Sequence, residues 1–252
     1  MMSTPTIHVA IRSYKRAGTI TTLKLFPEAS VWVPESQAAA YRKEYGAKRI
    51  EAIPDAEDGN LGRKCNAILD RSPSRWTLIV DDDLTSINMW EGGAKHVLTM
   101  RQIRGMVEHF YDLAEQLRVT LWGLNQIDDA LAYRTQTPFS FLAPVLGPFA
   151  GHLDPVVRYD PSVGGKDDYD FWLATIAREH RTLRVNKYTY RHDSGRKAGG
   201  FVSLRTLEIE QASVARMRAK WGNLFRAGGS IGPHSRGTNI LNSIVTVPIA
   251  GV

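Results

Sequence analysis

Short apolar runs alternate along this chain with longer stretches in which apolar residues recur every three or four positions. Residues 7–11, 29–33, 49–53, 76–80 and 119–124 are largely apolar and partly β-branched, and 182–190 alternate, and each predicts a strand. Helices are predicted over 37–45, 61–69, 99–117, 169–180 and 203–221. The clearest stripe is Ile103, Met106, Val107, Phe110, Leu113, Ala114 and Leu117, which belongs to a core. In the last helix Leu207, Val214, Met217 and Trp221 are the expected buried positions. Ser36 and Asn60 are candidate caps for the helices that follow them, Gly46 ends the first helix, and Gly92-Gly93 breaks the chain. Between 133 and 153 Pro and Gly punctuate an aromatic stretch, expected to hold short strands and a loop lining the acceptor side of a cleft. Alternating strands and helices predict an α/β fold with a parallel or mixed sheet flanked by helices. The apolar tail from 244 to 249 finds no place in this scheme.

The strand at 76–80 runs straight into Asp81-Asp82-Asp83. Three adjacent carboxylates raise each other's pKa unless a positive charge compensates them. A hard divalent cation supplies such a charge, often through one or two carboxylates plus substrate phosphates. In open α/β sheets ligands bind beyond the carboxyl ends of strands. The plain alternative is a solvated acidic turn.

Other candidates fall at similar places. Arg12, Ser13, Tyr14, Lys15 and Arg16 follow the first strand, where charge and stacking can hold a base and its phosphates. Asn60, Arg63 and Asn66 share roughly one side of their helix, with Lys64 beside them. Asp167 and Asp168 open a helix after Gly164-Gly165, where acids also serve as plain caps. His192 at a strand end is a possible metal ligand, although a lone histidine is more often a surface or core residue. Arg196 and Lys197 lie in a Gly-rich basic loop that either closes over phosphates or merely links.

Composition adds bounds. A chain of 252 residues is long enough for a substantial core. Its one cysteine, Cys65, excludes an internal disulfide framework and fits a reducing compartment. No stretch is long and apolar enough for a membrane span, and the N-terminus lacks the pattern of a signal peptide, so a cytoplasmic location is expected. Net charge is +6, but residues 178–236 carry 13 Lys or Arg against 4 Asp or Glu. That segment suits a polyanionic partner, and Arg216, Arg218 and Lys220 are its candidate contacts.

The order of Asp81-Asp82-Asp83, Asp167-Asp168 and His192 resembles the GT-A glycosyltransferases. More narrowly, Ile11 through Gly18, Val33-Pro34-Glu35-Ser36 and Gly59 through Lys64 look like the TET-associated glycosyltransferases of bacteriophages. The resemblance implies a GT-A-like (Rossmann-like) mixed sheet flanked by helices, a single domain over 5–200, and a basic helical C-terminal extension over 201–252 packed on it. It implies transfer of a sugar from a nucleotide sugar, expected to be a UDP-sugar, with Mn²⁺ or Mg²⁺. The implied acceptor is a 5-hydroxymethylated pyrimidine in DNA. Asp83, Asp81 and His192 would then hold the metal. Arg12, Ser13, Tyr14, Arg16, Asn60, Arg63, Lys64, Asp81 and Asp82 would hold the donor. Asp167 or Asp168 would serve the acceptor hydroxyl. The chain departs from the family in having Asp167 where the acid motif usually has Glu.

Three rival readings stand beside this one. Asp81-Asp82-Asp83-Leu84-Thr85 also fits the DxDxT of haloacid-dehalogenase-like phosphatases, with Asp81 as nucleophile. In that family the motif ends the first core strand, whereas three strands precede it here. A glycosyltransferase acting on a non-DNA acceptor is the second. The third, a non-enzymatic DNA-binding protein, leaves the acidic clusters unexplained.

Overall fold

The computed structural model describes residues 6–129, 133–193, 200, 206–231 and 241–247, with backbone alone for 227–231 and 241–242. The first half supplies β1 (His8–Arg12), β2 (Ser30–Pro34), β3 (Ile50–Ile53) and β4 (Trp76–Asp81), all parallel where they pair. They are linked through α1 (Glu35–Tyr45), α2 (Asp55–Asp58) and α3 (Leu61–Arg71). The second half adds β5 (Leu84–Glu91), β6 (Ala94–Val97), α4 (Met100–Gln116), β7 (Leu121–Asn125), β8 (Phe139–Ser140), β9 (Phe149–Leu153), α5 (Asp167–Glu179) and β10 (Leu183–His192). The sheet order is β3-β2-β1-β4-β9-β7-β10-β5-β6, with β8 on β10.

β9 lies antiparallel between β4 and β7, and β10 runs parallel to β7 and antiparallel to β5. One edge of the sheet therefore collects the C-terminal ends of β1, β4, β7 and β10. The start of β5 joins them, since Leu84 pairs His192, and so does the start of β9, since Phe149 pairs Val80.

Strand side chains alternate between faces. Val9, Ile11, Leu78 and Val80 pack with the α4 stripe on one side. Ala10 and Ile79 meet α3 and α5 on the other. Asn60 caps α3 by accepting the Arg63 amide hydrogen at 2.9 Å. Thr99 and Gln102 form a capping box for α4. Ser36 is no cap. It sits inside the first turn of α1 after Pro34, and its hydroxyl donates to Asp55 at 2.9 Å. Gly92-Gly93 is the turn of a β5–β6 hairpin, with φ of +57° and +78°. Two positive φ values suit the tight turns that match strand twist.

The C-terminal extension holds α6 (Leu207–Trp221), capped by Thr206, and a separate hairpin of β11 (Phe225–Ile231) and β12 (Leu241–Val245). It is thus helix plus hairpin rather than helical throughout. Val214, Met217 and Phe225 join the core on the α3–α5 face. Among the described residues no helix is long and apolar enough to cross a membrane.

Candidate active site

β4 ends at Asp81, and Asp82-Asp83 turn the chain into β5. The segment after β1 cradles that turn. Thr22 donates its hydroxyl to the Asp81 carbonyl at 2.6 Å and accepts the Leu84 amide hydrogen at 2.9 Å. The Thr21 amide donates to the Asp82 carbonyl at 2.9 Å.

The three carboxylates have different surroundings. Asp81 is about a third exposed and accepts from Arg12 Nε at 2.5 Å. Asp82 is buried and accepts from the Ser13 hydroxyl and from Arg16 Nη1. Asp83 is buried too. Its Oδ2 accepts from Arg16 at 3.1 Å, while its Oδ1 has no hydrogen-bond partner and lies 4.0 Å from His192 Nδ1. Burial pushes the pKa of both Asp82 and Asp83 upward, and the charge of Asp81 adds to the effect at Asp83. Arg16 opposes both shifts. The compensating charge demanded by adjacent acids therefore comes in part from the chain itself.

Several residues expected at the donor are placed inside. Arg12 is mostly buried. It reaches Asp81, Cys65 Sγ at 3.2 Å and the Gly147 carbonyl at 3.5 Å. Burial opposes its charge, and Asp81 and Asp167 help to outweigh that penalty. Ser13 hydrogen-bonds Tyr41 and Asp82. Lys64 is buried, donating to the Ser13 carbonyl at 2.6 Å and pairing with Asp58 at 3.0 Å, and burial lowers its pKa. Asn60 is the α3 cap and also donates to the Pro161 carbonyl. These groups shape the loop after β1 from behind. Tyr14, half-buried beside Lys15 and Lys64, and exposed Arg63 remain open to a ligand, as does Asp81. The Cys65 thiol is buried and pushed up to about 11, so it is chemically inert.

Across the edge, α5 begins with Asp167 and Asp168. Asp167 is buried. Asp168 is half-buried. Its Oδ2 accepts the Gly147 amide hydrogen at 3.0 Å and its Oδ1 accepts that of Tyr169 at 2.8 Å. Gly147 thus touches Asp168 through its N–H and Arg12 through its carbonyl. A cavity of about 10 Å³, the size of one water, is lined by Arg12, Gly147, Tyr159 and Asp168. Sequence reasoning missed Thr22, Tyr41 and Gly147. The only signal at Gly147 was its place in a Gly/Pro-rich stretch.

A divalent cation is compatible with these groups. Asp83 Oδ1 is an orphaned buried acceptor facing an imidazole, which is how two ligands of one ion are disposed. Among the described residues no group of three or more His, Cys, Asp or Glu gathers as an ion cage. Mg²⁺-type ions need none, since they take one or two carboxylates and complete their shell with water and substrate phosphate.

Of the expected nucleic-acid contacts, Arg216 and Arg218 are exposed on α6. Lys220, also exposed, pairs with Asp160 at 2.7 Å and Asp170 at 2.8 Å. Arg196 and Lys197 lie outside the described residues.

Solved glycosyltransferase structures share this GT-A fold. A mannosyltransferase from Pyrobaculum calidifontis, in complex with GDP-Man and Mn²⁺, is similar at a TM-score of 0.56 and 13% identity, over 92% of this chain and 67% of that one. Glucosyl-3-phosphoglycerate synthase from Mycobacterium tuberculosis, in complex with phosphoglyceric acid, is similar at 0.51 and 14% identity, over 86% and 80%. The same synthase in complex with Mn²⁺, UDP and glucosyl-3-phosphoglycerate gives 0.50 and 12%, over 96% and 88%. No curated protein matches the chain. Within this class the chain belongs to the TET-associated glycosyltransferase family, whose family model matches residues 7–201. It is a glycosyltransferase, and the phosphatase reading of Asp81 falls.

Proposed function

We propose that the protein moves a sugar from a nucleotide sugar to the hydroxyl of a 5-hydroxymethylated pyrimidine in DNA, with Mn²⁺ or Mg²⁺. The observation that carries this reading is the meeting, at one sheet edge, of the Asp81–Asp83 turn with Asp168, joined through Arg12 and Gly147. The similar mannosyltransferase was solved with GDP-Man and Mn²⁺, and the similar synthase with UDP and Mn²⁺, which supports the donor and the metal. The family name supports the DNA acceptor.

Asp83 and His192, with Asp81, would hold the cation, which when bound neutralises charge on the leaving diphosphate. Tyr14 offers a face for the base, and Arg63 a charge for phosphate. Asp168 takes the acceptor proton as general base, its orientation set by the Gly147 amide. Asp167, buried behind it, supports that position. The catalytic unit covers residues 5–200, and the extension over 201–252 adds Arg216 and Arg218 as contacts to the DNA backbone. Such contacts neutralise phosphate without reading sequence.

Thermal shift with a panel of nucleotide sugars tests the donor half, because a ligand that binds only the native state raises Tm. A UDP-sugar should raise Tm only when Mn²⁺ is present, and Asp83→Asn should abolish that Mn²⁺-dependent rise. An unchanged rise in the variant overturns the assignment of Asp83.

A further inference from the structure

The segment shared with the family ends at residue 201, and α6 starts at Leu207. Even so, α6 grips the turn that carries Asp167 and Asp168. Lys166, immediately before them, pairs with Glu210 of α6 at 3.2 Å, and the two side chains are 3% and 1% exposed. One turn later Asp170, fully buried, accepts from Lys220 Nζ and from Trp221 Nε1 at 2.7 Å. The charges are reciprocal, with a lysine of α5's entry on a glutamate of α6, and an aspartate of α5 on a lysine of α6. The approach loop is held as well. Ser213 Oγ accepts the Gly165 amide hydrogen at 3.2 Å. Gly164 has φ +71°, and a Cβ there would stand 2.8 Å from Ser213 Oγ, so α6 fits only against glycine.

Adhesion alone does not call for buried ions. A buried ion pair is poor at adding stability, because desolvation offsets its attraction, and apolar residues of similar volume often serve as well. What such a pair does supply is a fixed direction. The two ion pairs with α6 sit on either side of Asp167 and Asp168. The Lys166 ammonium also lies over the ring of Tyr169, 6.0 Å from its centroid, so the same lysine touches both α6 and the first turn of α5.

We propose that Glu210 is a positioning residue for the acceptor half of the site. Through Lys166 it fixes the first turn of α5, and so the aim of Asp168 toward the acceptor. α6 is on this view part of the active-site scaffold, although it lies beyond the shared segment. The catalytic part of this inference rests on the role proposed above for Asp168, and the structural part does not.

The test compares wild type, Glu210→Gln and the double variant Lys166→Gln/Glu210→Gln in two measurements on the full chain. Hydrogen exchange of the amides over 166–171 should quicken in Glu210→Gln, while the amides of β1 and β4 stay as protected as in wild type. Steady-state transfer well below the unfolding temperature should show kcat down about tenfold or more, since small misplacements of a catalytic group are costly, with KM for the donor within about twofold. The double variant removes both charges of this pair together. It should turn over faster than Glu210→Gln, and it carries the exchange comparison if the single variant does not fold. Unchanged exchange, uniformly faster exchange, or local loosening with normal kcat each overturns the proposal. If wild type transfers to no hydroxyl acceptor at all, the proposed reaction fails, and local against absent loosening still decides whether Glu210 positions α5.

Discussion

Gly147 shows how much of this site rests on single backbone positions. Its φ is +79°, and a Cβ would lie 2.9 Å from the Tyr190 hydroxyl. An L-residue there meets both the left-handed penalty, about 1–2 kcal/mol, and a steric conflict. Gly147→Ala should therefore lower stability by at least that amount in urea unfolding. It should also cut turnover, because the Gly147 amide orients Asp168. Gly147→Ala combined with Tyr190→Phe removes the hydroxyl conflict and should recover only part of the loss. Full recovery of stability would show that the backbone conformation costs nothing. The sequence could not single this glycine out, since Leu146-Gly147-Pro148 has the form of any turn. Nor could it separate inward from outward polar residues. Ser13, Lys64 and Asp82 look like ligand-facing groups because they are polar and follow strand ends. Their burial depends on Tyr41, Asp58 and Arg16, which approach from elsewhere in the chain. Asn60 was legible because a cap is a local device, satisfied three residues away.

At the scale of elements, the docking of α6 has a pH signature. Lys220 donates to Asp160 and, helped by Ser162, holds that carboxyl down at about 2. An ordinary aspartate titrates near about 4. A depressed native pKa means stability that is present above the unfolded value and is lost as pH falls through the folded one. The stability difference between wild type and Asp160→Asn should thus be steady above about pH 5 and shrink as pH falls from about 4 toward 2. Urea unfolding across that range measures it, and a difference that stays constant to pH 2 would refute the ion pair's role. Helices with strong stripes, such as α4, were legible from spacing alone. The β5–β6 hairpin was not. β5 carries Asn88, a fully buried polar residue whose side-chain amide donates to Asp128 forty positions away, which breaks its apolar alternation. β6 is exposed throughout and so leaves no hydrophobic pattern to detect.

At the scale of the molecule, the strands were mostly predicted but their order was not. β9 slips antiparallel between β4 and β7 from a stretch expected to hold short strands and a loop, and only long-range pairing decides where it goes. This insertion brings Gly147, just before β9, over the end of β4, and so joins the Asp81–Asp83 turn to Asp168. The basic C-terminal charge was legible as composition, but its use was not, since Lys220 is engaged by Asp160 and Asp170. Neutralising Lys220 would also undo those two ion pairs, so Arg216, exposed on α6, is the residue to neutralise when DNA affinity and its salt dependence are measured. The central claim is sugar transfer to a modified base, which must leave the stack to meet a donor held at the sheet edge. The direct measurement incubates the protein with Mn²⁺, nucleotide sugars and either plain or 5-hydroxymethylcytosine DNA, then digests the DNA to nucleosides for mass spectrometry. A sugar-sized mass added to the hydroxymethylated nucleoside alone is the predicted result. Consumption of the donor with no added mass on either DNA, or equal addition to both, would contradict it.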